Sequence, residues 1–152
     1  MDSATTIQEL MGLEGRIRQH YYQSFNAILK QDFIFEKRTK QPPQDPLNAL
    51  ISFGNSLCYT VVLSEIYKTQ LDPTISFLHE PSTKRFSLCL DLAEIFKPLL
   101  VDVVIISCIN NRIITQKHFD FLDGMVLLSE EGKSVLLKSG MRSYQQRYNI
   151  GN

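Results

Sequence analysis

Residues 73–98 read PTISFLHEPSTKRFSLCLDLAEIFKP, a histidine, a basic pair and spaced acids held between two prolines, and the reading of this stretch decides the fold. From Ser87 onward the apolar residues Leu88, Leu92, Ile95 and Phe96 recur at helical spacing, with Ser87, Asp91 and Glu94 on the opposite stripe. The pattern predicts an amphipathic helix with two carboxylates on one face. Pro81 and Ser82 keep His79 off that helix, in a segment able to fold back over the acidic face. That face can be a solvated stripe on an ordinary surface helix, or, with the histidine, a metal site.

Working upstream, Asp45 followed by Pro46 is an N-cap and first-turn pair that starts a second long helix, reaching about residue 70. Its apolar residues, among them Leu47, Leu50, Ile51, Cys58, Val62 and Ile66, leave only a narrow polar track of Asn48, Ser52, Asn55 and Tyr59. This is the pattern of a central helix, and its polar track must line a cleft or meet another polar stripe, because buried polar groups need partners. A first helix starts at Thr5 or Thr6 and runs to about Lys30, with Ile7, Leu10, Ile17, Tyr21, Phe25, Ile28 and Leu29 near one stripe. Gly12 and Gly15 interrupt it at about 1 kcal/mol each relative to alanine, so their flanking of Glu14 predicts close approach by a backbone or a ligand. The plainer role for Glu14 is an i,i+4 pair with Arg18, worth roughly 0.3–0.5 kcal/mol. Between the two helices lies a loop with a short apolar patch, the cations Lys37, Arg38 and Lys40, and Pro42-Pro43. Its cations can touch phosphates or be plain surface.

Downstream, Lys97-Pro98 bends or restarts the helix, which resumes through Val101, Val104, Ile105 and Cys108, carries Asp102 on the acidic side and ends near Asn110-Asn111. Residues 115–123 read as a short helix and turn closed by Gly124, and residues 125–128 as a strand-like link. Ser129, Glu130 and Glu131 open a last helix, whose Lys138, Arg142 and Arg147, interleaved with Tyr144 and Tyr148, can grip nucleic acid but read first as a solvated face. The predicted fold is all-α, a single multi-helix domain over residues 1–152 with at most a minor strand-like element near 119–128.

Composition agrees with a globular domain: 152 residues, 43% apolar and 21% charged, long enough to bury a core without disulfides or metal. The formal net charge of zero gives no support to indiscriminate nucleic-acid binding, so any basic surface is local. Cys58, Cys89 and Cys108 sit in apolar runs without CxxC spacing, as core residues of a reducing compartment such as the cytoplasm would. The N-terminus lacks a basic region followed by an apolar one, and the apolar run 99–109 is too short for a bilayer and contains Asp102, so no membrane association is expected.

Glycine-rich phosphate loops, GxSxG, HExxH and cysteine-zinc patterns are missing, and no Glu-x-x-His occurs. What remains is Glu14, His79 and Glu94, one from each of three separate elements, with Asp91 beside the last. Two carboxylates, one imidazole and open positions suit a hard or borderline divalent ion, Mg²⁺ or Mn²⁺, of the kind that organises phosphodiester chemistry.

Four separated blocks then carry a resemblance: LEG on the first helix, DPLNALISFGNSL on the second, LDPTISFLHEPSTKRFSLCLDLAEIFKPLLVD, and LLSEEGK. In this order they resemble the CRISPR-associated spacer integrase and endonuclease family, the larger of the two universal CRISPR adaptation proteins, from Leu10 to about Lys133. The family has a β-rich N-terminal domain and an all-helical C-terminal catalytic domain, and the resemblance is to the latter alone. It implies Glu14, His79 and Glu94 as metal ligands and catalytic residues, with Asp91 a helper acid one turn earlier. Arg85 matches a basic residue beside the site, and with Lys84, Arg18, Lys37 and Arg38 it makes up the expected DNA-contacting set. Ser76, Asn55 and Val103 depart from residues the family usually carries there. The implied function is metal-dependent cleavage and strand transfer of DNA in spacer acquisition, with DNA, the small CRISPR adaptation protein and a second copy in a homodimer as partners. Two other readings stand beside it: a weakly active or inactive helical remnant that binds protein or DNA, and a structural bundle whose acids are solvated.

Overall fold

The computed structural model describes residues 6–30, 33–78 and 86–148, the last three of these by backbone alone. Helix α1 (Ile7–Gln23) starts where Thr6 accepts from the amide of Glu9 while the Glu9 carboxylate reaches back to the Thr6 amide, a capping box. The helical run breaks at Ser24 and continues as the short α2 (Phe25–Ile28). Tyr22 is buried, and of the predicted stripe Phe25 is buried and Leu29 packs on the core, whereas Ile7, Leu10, Ile17, Tyr21 and Ile28 are exposed, so the stripe is a core face at its C-terminal end alone.

Helix α3 (Pro46–Ile66) is the centre of the fold, N-capped by the Asp45 carboxylate on the Asn48 amide at 2.8 Å. Its length and apolar character would also suit a membrane span, contrary to the expectation that no segment could; here it is the core helix, with Leu47, Ala49, Leu50, Ile51, Cys58, Val62 and Ile66 buried. The polar track does what buried polar groups require. Asn48, fully buried, takes the Arg38 guanidinium at 2.7 Å and the Thr39 amide at 3.1 Å and donates to the Lys37 carbonyl at 2.8 Å, while Ser52 takes Arg38 at 2.9 Å. These bonds clamp an extended loop to the helix. The same loop inserts Phe35 beside Tyr22, ring centroids 5.5 Å apart, and Phe33 beside Phe119 at 6.0 Å, so the apolar patch before the cations is core.

Helix α4 (Ser87–Lys97) packs along α3, passes Pro98 through a π-helical turn (Pro98–Asp102) and continues as α5 (Val103–Asn110). A proline has no N–H to give to the preceding turn, and the widened turn absorbs the mismatch. The chain turns at Asn111 and Arg112, then forms a 3₁₀ turn (Gln116–His118) and an antiparallel hairpin of β1 (Phe119–Leu122) and β2 (Met125–Leu128), with Phe119 opposite Leu128. The short helix expected over 115–123 is confined to the 3₁₀ turn, and the minor strand-like element expected near 119–128 is the hairpin. Gly124, at φ 72°, closes the two-residue turn. Helix α6 (Glu130–Tyr148), capped by Ser129 on the Gly132 amide at 3.1 Å, packs back on α5. All three cysteines are free and buried.

Two kinds of glycine separate cleanly. A Cβ on Gly54 would stand 2.4 Å from Val101 Cγ1, whereas at Gly12 and Gly15 it would meet nothing within 4 Å. No backbone among the described residues crowds Gly12 or Gly15, against the expectation from their flanking of Glu14. Gly54→Ala is expected to lower the unfolding free energy by about 1–3 kcal/mol through overpacking, and Gly15→Ala to raise it by up to about 1 kcal/mol through helix propensity. Urea unfolding of both variants checks the pair, and equal effects would mean that Val101 gives way freely.

Candidate metal and nucleic-acid site

The polar stripe of α4 faces into the protein. Ser87 and Asp91 are buried, while Ile95 and Phe96, from the predicted apolar face, are exposed. The cause is the irregular segment of turn and bend before the helix: Ser87 donates its hydroxyl to the Thr74 carbonyl at 2.7 Å, and one oxygen of Asp91 accepts the amides of Phe77 at 2.8 Å and Leu78 at 2.9 Å. Asp91 thereby fixes the backbone that leads directly to His79. Bonds from backbone amides to a carboxylate are worth about 1.5–3 kcal/mol each. His79, Lys84 and Arg85 themselves lie outside the described residues.

Glu94, one turn further along, meets the first helix. Arg18 donates one arm of its guanidinium to Glu14 Oε1 at 2.6 Å and the other to Glu94 Oε2, joining carboxylates 80 positions apart in the chain. Lys97 closes the other oxygen of Glu94 at 2.5 Å. Burial, and then the neighbouring Arg18, pull the Lys97 ammonium down to about 8. The i,i+4 pairing of Glu14 with Arg18 is therefore present, and it is half of a larger arrangement. Among the expected DNA-contacting cations, Arg18 is engaged with acids and Arg38 is engaged inside the loop clamp, whereas Lys37 is exposed.

These residues line a cavity of about 240 Å³ whose wall also includes Tyr21 and Asp102. Asp102 lies on the same side as Glu94, as the sequence predicted, but it is only 1% exposed, and neither carboxylate oxygen has a hydrogen-bond partner. The Tyr21 phenol stands beside it, pushed up by burial and then by that negative charge. Asn55 Oδ1, from the polar track of α3, is a further buried oxygen without a partner. Asp102 and Lys97 are site residues that the expected ligand set does not contain; the sequence signal for Lys97 is its i,i+3 spacing from Glu94, and for Asp102 its phase with Glu94 across Pro98.

Among the described residues, no three His, Cys, Asp or Glu side chains are close enough to hold a metal ion. The donor chemistry nevertheless fits a hard cation: two carboxylates from different helices converge on one positive group, with the guanidinium of Arg18 standing in for it. No metal is needed to explain why the acids tolerate each other, since Arg18 and Lys97 neutralise them.

Burial pushes the Asp102 carboxyl up to about 6, against the opposing pull of the Tyr21 phenol, Arg18 and Lys97. The folded-state value lies above the ordinary 3.8, so the group favours folding most below pH 4 and that contribution is lost as pH rises through about 6. Asp102→Asn is expected to raise the unfolding free energy by about 2 kcal/mol at neutral pH and by little near pH 4. Urea unfolding from pH 4 to pH 8 measures it; parallel curves for variant and parent would show that Asp102 titrates as in the unfolded chain.

The comparisons with known proteins agree with one another. The family model described as CRISPR associated protein Cas1 matches residues 1–140. A CRISPR-associated endonuclease Cas1 from Clostridium perfringens is 62% identical over 141 residues, covering 91% of this chain and 43% of the relative. The solved structure of a Cas1 protein from Thermotoga maritima superposes with a TM-score of 0.89 at 47% identity, over 93% of this chain and 46% of its own. More distant are a casposase bound to integration product, at a TM-score of 0.83 and 25% identity over 93% of this chain and 43% of its own, and a partial Cas6-RT-Cas1–Cas2 complex, at 0.84 and 29% over 95% and 45%. The chain spans less than half the length of each of these. With nine-tenths of its residues matched by the family model and by close relatives, the chain belongs to the CRISPR-associated Cas1 family.

Proposed function

We propose that the chain carries the metal-dependent DNA-cleaving and strand-transferring site of CRISPR spacer acquisition. The observation that supports it most is the convergence of Glu14 and Glu94, from separate helices, on a single internal cation at the wall of a cavity. In this reading Glu14, Glu94 and His79 hold Mg²⁺ or Mn²⁺. A divalent ion so held supplies a polarised water or DNA 3′-hydroxyl and stabilises the negative charge that develops on the phosphate. Asp91 acts as a positioning residue, setting the backbone at Phe77 and Leu78 and through it His79. Lys97 keeps a positive charge beside Glu94. Lys37, Lys84 and Arg85 contact DNA phosphates. The Cas1 endonuclease names of close relatives and the casposase bound to integration product favour nuclease and integrase chemistry, and the Cas6-RT-Cas1–Cas2 complex favours a Cas2-type partner. DNA, that partner and a second copy of the chain are its expected associates, in the cytoplasm.

A second reading, a helical module that binds protein and catalyses little, is favoured by exposed apolar side chains on α1 and α4, including Ile7, Ile17, Ile95 and Phe96.

Calorimetric titration with Mn²⁺ of the chain and of His79→Ala, paired with nicking of branched DNA, separates the two. Binding in the submillimolar range that falls about tenfold or more in His79→Ala, the usual scale for loss of a ligand's support, with nicking lost in parallel, is the expected result. Silence of both proteins at millimolar Mn²⁺ would sink the metal site. Metal binding without nicking, also after a Cas2-type partner is supplied, would favour the binding module. Asp91→Ala should weaken Mn²⁺ binding without touching a ligand and speed hydrogen exchange at the Phe77 and Leu78 amides by about tenfold or more; unchanged exchange there would remove Asp91 from its positioning role.

A further inference from the structure

The cavity wall carries three carboxylates, Glu14, Glu94 and Asp102, and two cations, Arg18 and Lys97. Their pairing is lopsided. Both cations sit on the two glutamates, which are the more exposed acids, with side chains 33% and 21% exposed. Asp102, the most buried of the three, has no cation at ion-pair distance, and only the Tyr21 phenol stands beside it as a donor. An ionised carboxylate is stabilised in a protein interior by an opposite charge, so a buried one without such a charge, on the wall of a cavity that Arg18 also lines, marks a second place for that cation.

Arg18 is the side chain able to use both places. It is long, one-third exposed and lines the same cavity as Asp102, and its positive charge already acts on that carboxylate. Lys97 is more confined, with its side chain 12% exposed against Glu94. A divalent ion held by Glu14 and Glu94 would need the oxygens that Arg18 now occupies, and like charge would repel the guanidinium. The nearby acid without a cation at ion-pair distance is Asp102.

We propose that Arg18 is an internal cation with two seats, bridging Glu14 and Glu94 in the metal-free chain and pairing with Asp102 when a divalent ion takes the two glutamates. The inference rests on the metal reading of this site. Arg18 then competes with the metal from within, and Asp102 lowers the cost of displacing it. The acidic pair is never left bare, and no cation has to leave the cavity for the metal to enter.

A double-mutant cycle read by Mn²⁺ calorimetry on the 152-residue chain tests it, with Arg18→Gln, Asp102→Asn, the double variant and the parent. Asp102→Asn preserves shape, and circular dichroism confirms that each variant is folded. Arg18→Gln should bind Mn²⁺ about tenfold tighter, and Asp102→Asn about tenfold weaker in the parent but less than about twofold weaker in the Arg18→Gln background, the size of coupling expected between directly interacting groups. In parallel, the ¹⁵Nε resonance of Arg18 should shift on Mg²⁺ titration of the parent to a position that Asp102→Asn does not reach. Equal weakening by Asp102→Asn in both backgrounds would mean that Asp102 merely attracts the ion at a distance, and would overturn the proposal while leaving the metal site intact. Arg18→Gln binding no tighter than the parent would overturn it too. Absence of Mn²⁺ binding in all four proteins would instead remove the metal site, and this inference with it.

Discussion

One guanidinium holds the first helix over the rest of the molecule. Apart from Tyr22, which enters the core near its C-terminal end, α1 buries little of its apolar surface, and the bond from Arg18 to Glu94 ties it to α4. A charge pair of this kind, partly shielded from water, is stronger than an open surface pair because the surrounding dielectric is lower. The same contact brings Glu14 beside Glu94. The architecture of α1 and the composition of the site are therefore one fact: a change that loosened Arg18 would alter both.

A second constraint runs through the polar residues of α3 and α4. Irregular segments have backbone amides and carbonyls without a helix or sheet to satisfy them, and in this chain two such segments are satisfied by side chains of adjacent helices. Asn48 and Arg38 join residues 37–39 to α3, and Ser87 and Asp91 join residues 74–78 to α4. Polar groups at the core of an apolar protein are the means by which irregular chain is held in one path. His79, a ligand in the proposed metal site, is the next residue in the sequence after this segment.

Local chemistry made much of this legible. Thr6, Asp45-Pro46 and Ser129 are capping residues whose donors and acceptors act within a turn of themselves, so the starts of α1, α3 and α6 could be read directly. The polar track of α3 was readable because a nearly all-apolar helix leaves no other place for Asn48. Periodicity did not reveal which face of α4 is inside. It sorts residues into stripes, but the side that carries Asp91 became the inner one through two amides from residues 77 and 78, distant in the sequence logic of the helix itself. The hairpin falls within the strand-like element expected near 119–128, but the boundary between helix and strand was not legible, because four residues, FDFL, carry too little alternation to separate the two periods. The pairing of Glu14 with Glu94 depended on resemblance alone, since no pattern within either helix points to the other.

The π-helical turn at Pro98–Asp102 lies between the half of the molecule that holds Glu94 and the half made of α5, the hairpin and α6. Such a turn contains one residue more than an α-helical turn, and that surplus sets the rotational phase of everything after it. Because the turn closes on five residues instead of four, loss of a single residue there would return it to α-helical winding with α5 still in its present phase, whereas rewinding the same residues as regular α-helix would turn α5 by about 100° about its axis and carry Ile105 off the core. A regular helix passes every gained or lost residue on to all that follows. At this joint one residue is taken up within the turn, so chain length can vary by one while α5 keeps its face on α3 and α6.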